Sequence, residues 1–272
     1  MNPYAQPPGH SGDTRRPAPH HTGHPVPQYQ QQPQFTLPAR LRYKPRTAFW
    51  ESKALRAGAL VTLLALCGLV ILAIVQQSVG TEGFIVGLAL SILPVPLLVG
   101  VFLWLDRVEP APWRNLLFAF AWGACAATLV SVVANTWTTE WLVSSVDAGS
   151  AGVDTLGAAV VAPVVEETAK AGALLLLFLF RRRDFDGIVD GVVIAGLTAT
   201  GFAFTENILY LGSAFGEDMA LGRSGPAEVT IVTFFMRVIM SPFAHPLFTC
   251  MTGVGFGIAA LSRHQAARVI AP

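Results

Sequence analysis

The sequence predicts an all-α fold, a polytopic transmembrane helix bundle of about six helices with a disordered N-terminal tail. Three observations predict it. Hydrophobic residues make up 53% of the 272 residues and charged residues only 13%, whereas a soluble domain carries about 25% charged residues. The mean hydropathy is +0.52. Apolar runs near or above 18 residues recur along the chain, enough to cross a hydrocarbon core of about 30 Å. A soluble enzyme is excluded. The net charge of +1 gives no basic field for a nucleic-acid partner.

Residues 1–50 hold ten of the 19 prolines and four of the six histidines (His10, His20, His21, His24), with a Gln30-Gln31-Gln32 run. Such a stretch cannot bury enough apolar surface to offset its ordering entropy, so it reads as a disordered cytoplasmic tail. Residues 51–272 form the transmembrane helical domain. Its apolar segments run over 57–75, 83–105, 116–137, 157–180, 188–211 and 229–261. Backbone groups in lipid must be paired internally, so each is a helix. Cys67, Cys125 and Cys250 lie inside these runs without ligand-type spacing and read as small core residues.

The loops set the orientation. Arg40, Arg42, Lys44, Arg46, Lys53 and Arg56 precede the first segment. Arg107 and Arg114 lie in the second loop, Arg181-Arg182-Arg183 in the fourth, and Arg263 and Arg268 in the tail. The first and third loops hold only acids such as Glu82, Glu140 and Asp147. Every second loop is basic, which places both termini in the cytoplasm; the membrane is expected to be a bacterial-type plasma membrane. The last segment, 33 residues long, would reach about 50 Å as one straight helix. Pro242 and Pro246 are expected to break or kink it.

Polar residues inside these segments carry the chemistry. The fourth segment holds Glu166, Glu167 and Lys170. Ionised residues near the bilayer centre each cost about 2.5–3.5 kcal/mol on the insertion scale, so they are expected to face the bundle interior or a wet cavity. Glu166 and Lys170, four apart, share a helix face and can pair. Glu167 points about 100° away and needs another partner. The fifth segment holds Thr205-Glu206-Asn207 with Tyr210 a turn beyond. The sixth holds Arg237, Ser241, His245 and Thr249, spaced by four, one stripe if the helix ran through both prolines. Counted from the outer end, Glu166 is about ten residues deep, Glu206 six, Arg237 eight and His245 sixteen, so one layer can hold them.

Two neighbouring buried carboxylates divide into an acid and a base. A neutral imidazole can position water or donate to an oxyanion. Arg237 can hold Glu206 or Glu167, and Asn207 adds an amide donor. This set suffices for amide hydrolysis. Glu166, Glu167, Glu206 and His245 are also of the type that ligates zinc, although no HExxH pattern is present. A proton-coupled or small-solute transporter uses the same buried charges for a relay. A third reading is an inactive membrane scaffold whose tail recruits partners. Tyr210 reads as a packed aromatic, and Ser241 and Thr249 as backbone-bonded hydroxyls.

Residues 155–261 resemble the PrsW family of membrane proteases, within the superfamily of CAAX-processing and bacteriocin-processing proteases. The likeness rests on Glu166-Glu167-Thr168-Ala169-Lys170 and on Phe185-Asp186-Gly187-Ile188-Val189-Asp190-Gly191. It continues through Gly201-Phe202-Ala203-Phe204-Thr205-Glu206-Asn207 to Tyr210, and Arg237 with His245 and Thr249. It implies hydrolysis of peptide bonds in membrane-anchored substrates such as anti-sigma factors. The implied catalytic residues are Glu166 or Glu167 as base, His245 as water or oxyanion partner, and Glu206. Lys170, Asn207, Arg237 and Thr249 support them, with zinc left open. The family pattern has a tyrosine where Ile194-Ala195 stands. It also continues into a second histidine block that His264 does not match, so the resemblance implies a chain shortened at its C-terminal end.

Overall fold

A computed structural model of the chain describes residues 53–145, 160–185 and 187–270. The expected tail, residues 1–50, lies outside the described residues. Among those described there is no strand. The helices are α1 (Lys53–Ser91), α2 (Val95–Leu105), α3 (Trp113–Ala121), α4 (Thr128–Ser145), α5 (Ala162–Phe180), α6 (Ile188–Ala220), α7 (Glu228–Phe234) and α8 (Ala244–Ile270). Widened π-helical turns at Trp122–Ala127 and Phe235–Met240 join α3 to α4 and extend α7.

Among the described residues, four stretches are long and apolar enough to cross a membrane: Ala54–Asp106, Trp113–Trp141, Ile188–Ala220 and Glu228–Ser262. The first contains two of the six expected segments. Gly80 sits at φ 72°, ψ 170° inside α1, a conformation glycine reaches without Cβ cost. The order of contacts along α6 reverses there. Ile71 and Val75 cluster with Ile208 and Val79 lies against Gly212, whereas beyond the bend Gly83 lies against Gly212, Gly87 against Ile208 and Phe102 against Gly196. The remaining expected segment is α5, only 19 residues long and carrying Glu166, Glu167 and Lys170.

Helix α6 is the hub. Of its most apolar stretch 78% is buried, against 17%, 33% and 11% in the other three. Its interior positions are small, including Gly191, Ala195, Gly196, Ala199, Gly201 and Ala203, which lets neighbouring backbones approach closely. At Gly191 the α8 backbone comes so near that a Cβ would press into the Gly253 carbonyl. Around the basic-loop end, Phe178 meets Phe185 and Phe256 edge-on at 6.0 and 5.5 Å.

The turn from α6 to α7 is locked by Asp218. Its side chain is fully buried. It accepts hydrogen bonds from the backbone N–H groups of Ala227 (2.9 Å), Val229 (3.2 Å) and Thr230 (2.9 Å), and from the Thr230 hydroxyl at 2.7 Å. Arg223 pairs with it at 3.0 Å. This caps the N-terminus of α7 and returns the chain alongside α6, which brings Arg237 back to Glu206.

Candidate active site

Four stretches of chain deliver the polar residues. Helix α5 presents Glu166, Glu167 and Lys170 from its first turns. Helix α6 presents Phe202, Glu206 and Tyr210, spaced by four, with Asn207 beside them. Arg237 lies in the π-helical turn after α7. The helix then breaks at 241–243 and restarts at Ala244, with Pro246 in the first turn of α8. Proline lacks the N–H that would continue the ladder, so the break falls where the prolines predict. The stripe of four is therefore not one helix face. Ser241 turns aside, donating to the Met236 carbonyl at 2.7 Å, while His245 and Thr249 reach inward from α8.

The eight residues given catalytic or supporting roles from the sequence meet in one hydrogen-bonded network. Lys170, with no exposed side-chain area, places Nζ 2.9 Å from Glu167 Oε1 and 3.5 Å from Glu166 Oε2. The same Nζ lies 3.1 Å from His245 Nδ1. On the other side of the ring, His245 Nε2 is 2.9 Å from Glu206 Oε2. Arg237 donates from Nη2 to Glu206 Oε2 at 2.6 Å and from Nε to Asn207 Oδ1 at 2.8 Å. The Thr249 hydroxyl sits 2.9 Å from Glu167 Oε2 and 3.0 Å from the His245 carbonyl.

The carboxylates are unequally engaged. Glu167 is held by an ammonium and a hydroxyl, and Glu206 by a guanidinium and an imidazole. Glu166 has only the long contact to Lys170 and a 3.9 Å approach to His245 Nδ1. Beside this network lies a cavity of about 200 Å³ lined by His245, Arg237 and Asn207 and, across from them, Pro94, Val95 and Leu98.

Residues 111–272 match the PrsW family intramembrane metalloprotease, a stretch of more than half the chain. The chain belongs to the PrsW family. It is thus an integral membrane protease. The match takes in α3 and α4 as well as the motifs between 155 and 261. No curated protein and no solved structure matches the sequence.

The PrsW description includes a metal, and the donor set can be tested for it. A metal-bound histidine turns one nitrogen to the ion and donates from the other, commonly to a carboxylate. His245 Nε2 has such a carboxylate in Glu206, but Nδ1 faces the Lys170 ammonium. That ammonium stands within reach of Glu166, Glu167 and His245, where a divalent ion would need to be. Among the described residues no group of three or more His, Cys, Asp or Glu side chains is arranged to hold a metal ion. As they stand, these residues do not fit zinc.

Two expectations shift in detail. Lys170 pairs more closely with Glu167, three residues away, than with Glu166, four away, because both spacings bring side chains together on a helix. Glu167 finds its further partner in Thr249, whose hydroxyl reaches a side chain as well as the backbone. Two aromatic residues of the site gave no polar signal in the sequence. The Phe202 ring has Lys170 Nζ 4.0 Å from its centroid and the His245 ring at 5.7 Å. Trp122 donates from its indole to the Ala169 carbonyl at 3.0 Å, bracing α5 next to Lys170. Tyr210, expected as a packed aromatic, carries the Arg237 guanidinium 3.9 Å above its ring.

Proposed function

We propose that the protein hydrolyses a peptide bond of a membrane-anchored protein with a water activated by Glu166. The unequal engagement of the three carboxylates carries this assignment. Glu166 is the carboxylate whose ionic contacts are all long, at 3.5 and 3.9 Å, while Glu167 and Glu206 are each tied to a cation within 3 Å. A general base needs an acceptor free to reach the water it deprotonates.

The steps follow from the groups at hand. Glu166 takes a proton from water as the oxygen attacks the scissile carbonyl carbon. The carbonyl π pair moves to oxygen, and the resulting oxyanion is met by Arg237 Nη1, the nitrogen that the pairs to Glu206 and Asn207 leave over. Donors aimed at such a charge lower the barrier because they are already oriented. Collapse of the oxyanion breaks the C–N bond, and Glu166 returns the proton to the leaving amine.

Glu167 and Lys170 position the base, and Glu206 holds Arg237 and the His245 imidazole in register. The family likeness also points to an anti-sigma factor as the substrate class. The basic second and fourth loops support cytoplasmic termini, and the family likeness supports a bacterial-type plasma membrane. Zinc would require Lys170 to leave its place.

The test is cleavage of a co-expressed membrane-anchored reporter. Glu166→Gln and His245→Ala are expected to abolish it while the protein still accumulates in the membrane. Undiminished cleavage by both variants removes the assignment.

A further inference from the structure

The cavity beside His245 has a second wall that no catalytic role explains. Helix α1 ends in a turn over Ile92–Pro94, and the chain enters α2 at Val95. Pro94, Val95 and Leu98 line the cavity from that side, and Ser241, Pro242 and Ala244 from the break before α8. Two interruptions of helical backbone thus face one space. At membrane depth irregular backbone is tolerated where it lines a cavity, and a segment must be unwound before its amide can be attacked.

The lining decides what fits. Most of its polar side chains are already satisfied within the protein. The Thr200 hydroxyl donates to the Gly196 carbonyl at 2.7 Å. Ser241 donates to Met236, and Arg237 is held by Glu206 and Asn207. The guanidinium charge is already paired with Glu206 and its remaining Nη1 serves the oxyanion, so an acidic side chain would find no free counter-charge there. The remaining walls, Val95, Leu98, Ala203 and Phe204, are apolar. The volume of about 200 Å³ is below the range of about 300–1,000 Å³ typical of drug-sized ligands. It exceeds the roughly 150 Å³ of an apolar cavity that accepts benzene. One aliphatic or aromatic side chain fits.

We propose that this cavity, between the 92–94 turn and the 241–243 break, is the subsite for an apolar side chain of the substrate residue beside the scissile bond, and that Val95 and Leu98 set its size. The inference rests on the protease chemistry above and adds its specificity. Both determinants lie before residue 111, outside the stretch that matches the family.

The test uses the full chain in proteoliposomes with a library of single-span peptides, cut positions being read by mass spectrometry. Wild-type protein is expected to cut next to residues of Val, Leu, Met or Phe size. Val95→Phe fills the cavity and is expected to move the preference to Ala and Gly, lowering kcat/KM for Leu-flanked sites about tenfold. Leu98→Ala enlarges it and is expected to shift preference toward Phe and Trp. Cutting by both variants with the wild-type residue preference overturns the subsite. Wild-type protein that cuts no peptide, and no co-expressed membrane-anchored reporter either, overturns the protease chemistry beneath it. Should Leu98→Ala fail to accumulate, Val95→Phe and Val95→Ala, on a half-buried position, carry the same opposite-direction comparison.

Discussion

The ammonium of Lys170 lies 3.1 Å from Nδ1 of His245, linking α5 to α8 across 75 residues of sequence. An ammonium has donors only, so Nδ1 accepts, and the imidazole proton sits on Nε2, which donates to Glu206 at 2.9 Å. One buried cation thereby sets the tautomer of the histidine and anchors both glutamates of α5.

Replacing that cation tests this directly. Lys170→Met is close in size but leaves Glu166, Glu167 and Nδ1 without their shared donor. Removing one partner of a buried pair costs about 3–5 kcal/mol, and the exposed edge of Glu167 places the expected loss near the lower figure. Thermal unfolding in detergent should show a clear drop in Tm, and reporter cleavage should vanish. An unchanged Tm would mean that the pair contributes nothing to the fold.

The two glutamates are expected to separate by readout. Glu166→Gln removes the base and should lower kcat by about 10²–10⁴ with little change in Tm, since its only ionic contacts are long. Glu167→Gln loses its 2.9 Å pair with Lys170 and weakens the acceptor facing Thr249. Its Tm should fall further than that of Glu166→Gln, with a smaller loss of kcat. The reverse pattern would transfer the base role to Glu167.

Arg237 offers a comparison between charge and shape. Arg237→Lys keeps the charge but cannot hold Glu206 and Asn207 together while leaving a third nitrogen for an oxyanion. The expected loss is about 10² in kcat, the lower end for removing an oxyanion donor. Tyr210→Phe keeps the ring under the guanidinium and should stay within about twofold of wild type. A large loss in Tyr210→Phe would give the phenol a role that the stacking does not.

Zinc uptake provides a further check on Lys170. Lys170→Ala opens the position between Glu166, Glu167 and His245 Nδ1, and the variant should bind zinc at least about tenfold tighter, a difference of about 1.4 kcal/mol. Metal titration of detergent-purified protein followed by elemental analysis measures it. Equal affinity in the two proteins contradicts the idea that the ammonium occupies the metal's place.

Much of this site was legible before any coordinates. Charges at Glu166, Glu206 and Arg237 are costly in lipid, which predicts that they turn away from it and lets one layer hold them. The proline break at 241–243 was legible for the same kind of reason, a missing N–H. Apolar contributions were not. Phe202 and Trp122 look like any membrane aromatic, and nothing in Val95 or Leu98 marks them as cavity walls. The burial of Asp218 was not legible either, because it depends on three backbone N–H groups that only the folded turn presents. The bend at Gly80 was legible as a boundary between apolar segments, but its left-handed backbone was not.

Helix spacing gives the last prediction. Gly191 on α6 and Gly253 on α8 face each other with no room for a Cβ on either. The same two helices carry Glu206 and His245, which meet at 2.9 Å. Gly191→Ala must push α8 away, and overpacking of this kind costs about 1–3 kcal/mol. The effect on chemistry should be larger than the effect on stability, since a displacement of about 1 Å in a reacting constellation can cost 10²-fold in rate. Gly255, on α8 but with open space where its Cβ would lie, serves as the control. Gly255→Ala should match wild type in cleavage and hold or slightly raise Tm, because alanine favours a helix over glycine. Equal losses in both variants would show that glycine content of α8, not its contact with α6, governs activity.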